Sequence, residues 1–400
     1  MLDAYIYDGL RTPFGRHAGA LSPVRPDDLL GQVIARLLAR NAFEPEQYED
    51  VIAGCTNQAG EDARNVARMA SLVSGLPVGV AGQTVNRLCG SGLAAIVDAA
   101  RAIHCGEGQL FIAGGVESMS RAPLVLGKAE TAFSRSTELY DSTIGARFPN
   151  PAVLRDFGSD SMPQTADNVA WELGIGREEC DRFAQTSQGR YGKAQQQGFF
   201  AGELMAVSVP QGRKQPALDV VCDEHPRPDT TLESLARLRP LEEGGVVTAG
   251  NASGINDGAA ALVLGSRAIG EQAGVAPRGR LLAAAVAGVE PRLMGLGPVP
   301  AIRKALDRAG LTLADMDVIE LNEAFAAQVL GCARQLVLDP ADCRLNPNGG
   351  AIAIGHPLGA SGARIALTAL RQLEASGGRY ALVSMCIGLG QGIAVVIECV

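Results

Sequence analysis

The two ends of this 400-residue chain repeat one another. Ser91-Gly92 opens an apolar, helix-forming run, and 17 residues later Gly108 begins a strand-like segment, Gln109-Leu110-Phe111-Ile112-Ala113. Ser361-Gly362 opens a second such run, and again 17 residues later Gly378 precedes Arg379-Tyr380-Ala381-Leu382-Val383. Upstream, Asp50-Val51-Ile52 has a counterpart in Asp317-Val318-Ile319, so the two comparisons give offsets of 270 and 267 residues. Each half also has an amphipathic helix, over 27–39 and 300–309; the first spaces Leu29, Leu30, Val33, Ile34 and Leu37 along one face. Strands alternating with helices predict an α/β architecture with a largely parallel sheet. The repeat predicts two similar halves.

Between the halves the character changes. Residues 122–247 hold six of the ten phenylalanines (133, 148, 157, 183, 199 and 200) and the sole Trp171. Ser161-Met162-Pro163-Gln164 reads as a capping box opening a helix that stops near Gly174, and a second helix is expected from Arg177 to about Gln197. Gly212, Pro216, Pro226 and Pro228 then break the chain into loops. The expected division is 1–121 as the N-terminal half, completed by about 248–271, then 122–247 as an inserted loop domain, then 272–400 as the C-terminal half. Aromatic loops inserted into a rigid α/β frame commonly shape a binding site.

Composition narrows the function classes. A net charge of −8 argues against a general nucleic-acid binder. Nine scattered cysteines without a CxxC pair suit a reducing cytoplasm, and predict neither a disulfide framework nor a metal site. The N-terminus has no basic stretch followed by an apolar run, and no apolar run is expected to span a bilayer. A cytoplasmic protein is expected.

Chemistry-bearing residues cluster after the predicted strands, the end of an α/β sheet where ligands bind. Cys89, in Asn86-Arg87-Leu88-Cys89-Gly90-Ser91-Gly92, is placed before a helix, where the dipole is expected to favour the thiolate. Gly90 and Gly92 are expected to let a substrate approach the sulfur. A buried structural cysteine fits the local pattern as well. His356, one of four histidines, ends a glycine-rich turn from Asn346 and is a candidate general base. Cys386 begins Cys386-Ile387-Gly388-Leu389-Gly390, and Asn322 follows the strand ending at Glu320.

Together these stretches resemble the thiolase family over essentially the whole chain. The motifs are 86–92, Gly114-Gly115-Val116-Glu117-Ser118-Met119-Ser120, Thr248–Gly258, Asn322–Phe325, Gly355-His356-Pro357 and Cys386-Ile387-Gly388, in the family's order. The resemblance implies an αβαβα core of five layers with an inserted loop domain, and a homotetramer made of tight dimers. It implies coenzyme A as a substrate, with no permanently bound cofactor. Cys89 then matches the nucleophile that is acylated, His356 the base, and Cys386 the acid/base that protonates the departing enolate. The amides of Cys89 and Gly388 form one oxyanion hole; His356 and a water held by Asn322 form the other. Arg227 and Ser234 match contacts to the nucleotide end of CoA, Ala249 and Ser253 face its pantetheine, and Met162 and Phe325 line the acyl pocket. The chain departs from the family at Leu389, where many relatives have glycine, and at Ser161, where short-chain biosynthetic thiolases often carry histidine.

Segments 55–62, 143–151 and 288–300 look closest to the β-ketoadipyl-CoA thiolases of aromatic degradation. The implied reaction cleaves 3-oxoadipyl-CoA with CoA to succinyl-CoA and acetyl-CoA, and Arg147 or Arg135 is the expected partner of the distal carboxylate. Acetoacetyl-CoA and fatty-acid 3-ketoacyl-CoA thiolases are the alternatives with the same catalytic set. A non-catalytic acyl-CoA-binding protein is the alternative from another class, but it has no need of Cys89, His356 and Cys386 together.

Overall fold

The computed structural model describes residues 2–211 and 215–400. Gly212, one of the expected loop breakers, lies outside them. The strands of the large sheet are β1 (Ala4–Arg11), β2 (Asp50–Gly54), β3 (Ala81–Val85), β4 (Leu110–Ser118), β5 (Asn256–Gly265), β6 (Gly279–Gly288), β7 (Val318–Leu321), β8 (Tyr380–Ile387) and β9 (Gln391–Cys399). Their spatial order is β7-β8-β9-β6-β1-β5-β4-β2-β3, and the two-residue strand Gly15–Arg16 pairs with β5.

That order contains the repeat. In the first half β1 is antiparallel to β5, β5 antiparallel to β4, and β4 parallel to β2. In the second, β6 is antiparallel to β9, β9 antiparallel to β8, and β8 parallel to β7. The half-sheets join where β1 meets β6 through three residue pairs, Ala4–Leu281, Tyr5–Arg280 and Ile6–Gly279. The sheet is therefore mixed, which corrects the expectation of a largely parallel one. In the second half β9 follows β8 through a tight hairpin, whereas in the first half residues 119–255 intervene between β4 and β5. This long insertion occupies the place of a turn.

Helices complete five layers. Among the described residues, those of eight residues or more are α1 (Pro26–Arg40), α2 (Val66–Val73), α3 (Ser91–Cys105), α4 (Met162–Leu173), α5 (Arg177–Gln196), α6 (Pro298–Ala309), α7 (Ala326–Leu336) and α8 (Leu358–Ser376). One core joins α3 and α8 to inward side chains of both half-sheets, among them Ile52, Ala113 and Leu262 on one side and Val383, Val395 and Ile397 on the other. A second packs α1 and α2 on the outer face of the first half-sheet, and a third packs α6 and α7 on the outer face of the second. In α1, Pro26 at the first turn and two following aspartates suit the helix N-terminus. Its buried Leu29, Leu30, Val33, Ile34 and Leu37 each contribute roughly 1.5–3 kcal/mol by leaving water.

The central helices cross closely. A Cβ on Gly92 would lie 2.4 Å from the Gly359 carbonyl oxygen, and one on Gly362 would lie 2.2 Å from the Leu93 amide nitrogen. One 18-residue window, Leu88–Cys105, is long and apolar enough to cross a membrane by composition, contrary to expectation. It is mostly α3, sandwiched between the half-sheets. The capping box at Ser161 and Gln164 is present, α4 ends at left-handed Gly174, and α5 follows as expected.

Candidate active site

A cleft of ≈ 840 Å³ opens between the 119–255 insertion and the sheet ends. Cys89, His356, Cys386 and Gly388 line it, as do Met162, Arg227, Ser234, Ala249, Ser253 and Phe325. Asn322 stands behind this wall, fully buried, with Nδ2 3.5 Å from His356 Nε2. Exposure grades along the cleft: Arg227, Ser234 and Ala249 are exposed, Ser253 is half-buried, and Phe325, His356 and Cys386 are buried. The cleft thus has a wet mouth and a dry floor.

Cys89 is held by its backbone. Leu88 adopts φ +46°, a conformation costly for a branched side chain. Asn86 Oδ1 accepts from the Leu88 amide at 3.0 Å, while Ser91 Oγ accepts from the Arg87 amide at 2.9 Å and donates to the Leu88 carbonyl. These bonds fix a turn that presents the sulfur to the cleft. Burial pushes the thiol up to about 11, although the amides of Gly388 and of Cys89 itself pull the other way. The expected thiolate at a helix N-terminus is thus corrected. Desolvation outweighs the two amides, and the resting residue is a neutral thiol. The reason expected for the two glycines also changes. A Cβ on Gly90 would lie 2.6 Å from Ile387 Cδ1, and Gly92 meets the other central helix, so both serve packing.

His356 is held by backbone and side chain alike. Its amide donates to Asn256 Oδ1 at 2.9 Å, and Asn256 Nδ2 donates to the Gly15 carbonyl. The preceding Gly355 has φ +109°, and a Cβ there would strike Asn256. Ser361 Oγ lies 3.0 Å from the Pro357 carbonyl and 2.7 Å from His356 Nδ1. A hydroxyl has one proton, and the carbonyl can only accept it, so the hydroxyl accepts from Nδ1–H. That fixes the tautomer and leaves Nε2 as the acceptor, facing Asn322 Nδ2 at 3.5 Å. Burial, helped by the Arg364 charge, lowers His356 from 6.5 to about 3. The imidazole is neutral.

Asn322 is positioned by the strand end. Its amide donates to the Ser384 carbonyl at 3.0 Å. Asn346, at φ +44°, brackets Leu321 with Oδ1 from the amide and Nδ2 to the carbonyl, both 2.8 Å, and also donates to Glu323. Cys386 is 1% exposed, and burial raises its thiol well above the ordinary range. It too is a neutral acid at rest.

The departures from the family pattern are readable. Leu389 sits in the β8–β9 hairpin at φ +63° and is 64% exposed, so its side chain points away from Gly388. Ser161 caps α4 and donates to Glu242 Oε1 at 2.7 Å. Neither Arg147 nor Arg135 is on the cleft wall, where Arg227 is the one Arg or Lys among the described residues. Gln188, His225 and Thr230 on the wall were missed. Gln188 receives the Arg227 amide at 2.8 Å and donates to the Ile352 carbonyl at 3.1 Å. His225 is lowered to about 4, first by burial and then by Arg227. Its position two residues before Arg227 was the available signal.

Models of the thiolase N-terminal and C-terminal domains match residues 4–268 and 275–399. The chain is 59% identical, over all of both chains, to a 3-oxoadipyl-CoA/3-oxo-5,6-dehydrosuberyl-CoA thiolase of Escherichia coli K12. It is 58% identical, again over all of both chains, to a β-ketoadipyl-CoA thiolase of Acinetobacter baylyi. A human mitochondrial 3-ketoacyl-CoA thiolase, solved in complex with CoA, superposes with a TM-score of 0.91 at 40% identity, covering 100% of this chain and 98% of that one.

Proposed function

The chain belongs to the thiolase family and is an acyltransferase; we propose that it cleaves 3-oxoadipyl-CoA with CoA to succinyl-CoA and acetyl-CoA. The observation that carries the substrate is the 59% full-length identity to a relative named for 3-oxoadipyl-CoA. The observation that supports the chemistry is the convergence of Cys89, His356, Cys386 and Gly388 on one cleft floor.

The neutral resting site dictates the order of proton movements. His356 Nε2 takes the Cys89 proton as the sulfur attacks the 3-oxo carbon. The tetrahedral oxyanion lies against the amides of Cys89 and Gly388. The bond to the acetyl unit then breaks, its electron pair passing into the acetyl-CoA enolate. Cys386 protonates the enolate carbon, and the succinyl group remains as a thioester on Cys89. The imidazolium returns a proton to Cys386 before the second half-reaction. CoA then loses its thiol proton to His356, attacks the thioester, and the proton passes to departing Cys89. Thiols suit these exchanges because each can both give and take a proton. His356 and a water on Asn322 stabilise the enolate oxygen; loss of one such donor typically costs about 3–4 kcal/mol.

CoA enters by the wet mouth, with Arg227 and Ser234 towards its nucleotide and Ala249 and Ser253 along the pantetheine. Met162 and Phe325 face the acyl chain. The unit boundaries we propose are 1–121 with 248–271, 122–247 and 272–400. Their support is that β4 ends at Ser118 while its antiparallel neighbour β5 starts at Asn256. A homotetramer in the cytoplasm completes the reading; the assembly is supported by the edge of β3, which pairs with no further strand among the described residues, and by the exposed Leu124, Leu126 and Leu139. The test is thiolysis of 3-oxoadipyl-CoA, acetoacetyl-CoA and a longer 3-oxoacyl-CoA. The expected kcat/KM preference for the first is at least roughly tenfold. Equal use of acetoacetyl-CoA keeps the mechanism and removes the substrate.

A further inference from the structure

Behind His356, away from the cleft, α8 carries a row of polar side chains, of which Ser361 bonds the imidazole. Ser361, Arg364, Thr368 and Arg371 recur at spacings of three and four, so they share one helix face. The first three are fully buried. Thr368 is satisfied, donating to Glu203 Oε2 at 3.1 Å, and Arg11 donates to Glu203 Oε1 at 2.6 Å. Arg364 is not. None of its Nε, Nη1 and Nη2 has a hydrogen-bond partner among the described residues. Its ion-pair contact is Glu320 Oε2, 3.8 Å from Nη1, and Glu320 Oε1 likewise lacks a partner among them.

A loosely paired buried guanidinium is costly, and an apolar side chain of similar volume often replaces such a pair without loss of stability. Packing alone therefore does not account for Arg364. Its placement does. Glu320 is on β7, which ends at Leu321, the residue before Asn322. Arg364 lies one turn beyond Ser361 on the helix that His356 leads into. The pair spans the strand that leads into Asn322 and the helix that carries the support of His356.

We propose that Arg364, acting with Glu320, is a positioning residue for the thiolase reaction, holding β7 against α8 so that Asn322 faces His356 Nε2. It rests on the roles of His356 and Asn322 given above. The charge has a second consequence, because a guanidinium at this place opposes protonation of His356. Glu323, Glu203 and Arg190 also face Glu320, and Arg11 faces Arg364, so the pair sits in a field of both signs.

The test compares wild type with Arg364→Lys, Arg364→Met and the double variant Glu320→Gln/Arg364→Met. The double variant removes both buried ionisable groups and is the one expected to fold. Its kcat should fall at least roughly tenfold while KM for CoA stays within about twofold. The acid limb of Cys89 alkylation by iodoacetamide, read without any acyl-CoA, should move up by about one pH unit or more, with Arg364→Lys restoring it towards wild type. A folded double variant with the kcat and alkylation profile of wild type overturns the proposal. So does an imidazolium ¹⁵N signal for His356 in wild type at about pH 6, whatever the variants do. A wild type that cleaves no 3-oxoacyl-CoA sinks the functional reading instead, and leaves the alkylation and NMR results to judge Arg364.

Discussion

The turn before α3 and the turn before α8 occupy matching places in the two halves, yet they hold their reactive side chains differently. Around Cys89 the hydrogen bonds of Asn86 and Ser91 all go to backbone, and the thiol itself faces the cleft half-buried. Around His356 the imidazole is bonded through Nδ1, its backbone amide is bonded to Asn256, and the residue is 5% exposed. A nucleophile must keep its reactive atom open to substrate and to an acyl group. A base must keep one nitrogen bare and the other occupied. The repeat supplied two equivalent strand-to-helix turns, and the close crossing of α3 and α8 brings them to one floor. Divergence then made one turn a support for a backbone and the other a support for a side chain.

The largest effects should come from removing the two groups themselves. Cys89→Ser and His356→Asn are each expected to lower kcat by about 10³-fold or more. They should differ in stability. Thermal melts should leave Cys89→Ser near wild type and place His356→Asn lower, because only the latter loses a buried hydrogen bond. A His356→Asn enzyme with more than roughly a tenth of wild-type kcat would break the comparison at its base.

Ser361→Ala sharpens it. Without the hydroxyl the imidazole can turn or change tautomer, and kcat should fall roughly tenfold with KM nearly unchanged. Its counterpart Ser91→Ala loosens only a backbone turn, so its loss should fall mainly on stability, about 1 kcal/mol. Steady-state kinetics and urea melts on both variants check the asymmetry. Equal kinetic losses would contradict it.

Acid should expose the same difference. His356 is depressed from 6.5 to about 3 in the folded chain, so the unfolded chain takes up the proton first. Its contribution to stability is full above about pH 6.5 and is lost as pH falls from there towards 3. His225, lowered to about 4, acts in the same sense, and Glu320, raised to about 8, in the opposite one. The informative quantity is therefore the wild-type minus His356→Asn difference in urea midpoint, which should shrink between pH 7 and pH 5. The smallest effect is expected at the neighbouring hairpin. Leu389→Gly relieves a left-handed residue and should gain or lose no more than about 1 kcal/mol, with kcat unchanged.

Much of this was legible in the chain, for identifiable reasons. The Ser-Gly helix openings and their equal spacing to the next strand revealed the two halves, because each half must turn from sheet to central helix at that point. Strand direction was not legible. β5 reads as a buried apolar run like any other, and its antiparallel neighbour β4 lies on the far side of the insertion. Cys89, His356 and Cys386 could be found because glycine-rich turns mark them. Arg364 could not, since a lone arginine in a helix reads as solvated, and only the fold shows it buried between the half-sheets. The ionisation of Cys89 went the wrong way for the same reason. A helix N-terminus is visible in sequence, and the apolar surroundings that outweigh it are not.

The most direct measurement is peptide mapping by mass spectrometry of wild-type enzyme quenched during turnover of 3-oxoadipyl-CoA with limiting CoA. A succinyl thioester on the peptide that contains Cys89, absent from Cys89→Ser and discharged by added CoA, is the expected result. Turnover without an adduct on Cys89, or with the acyl group on another residue, would contradict the account.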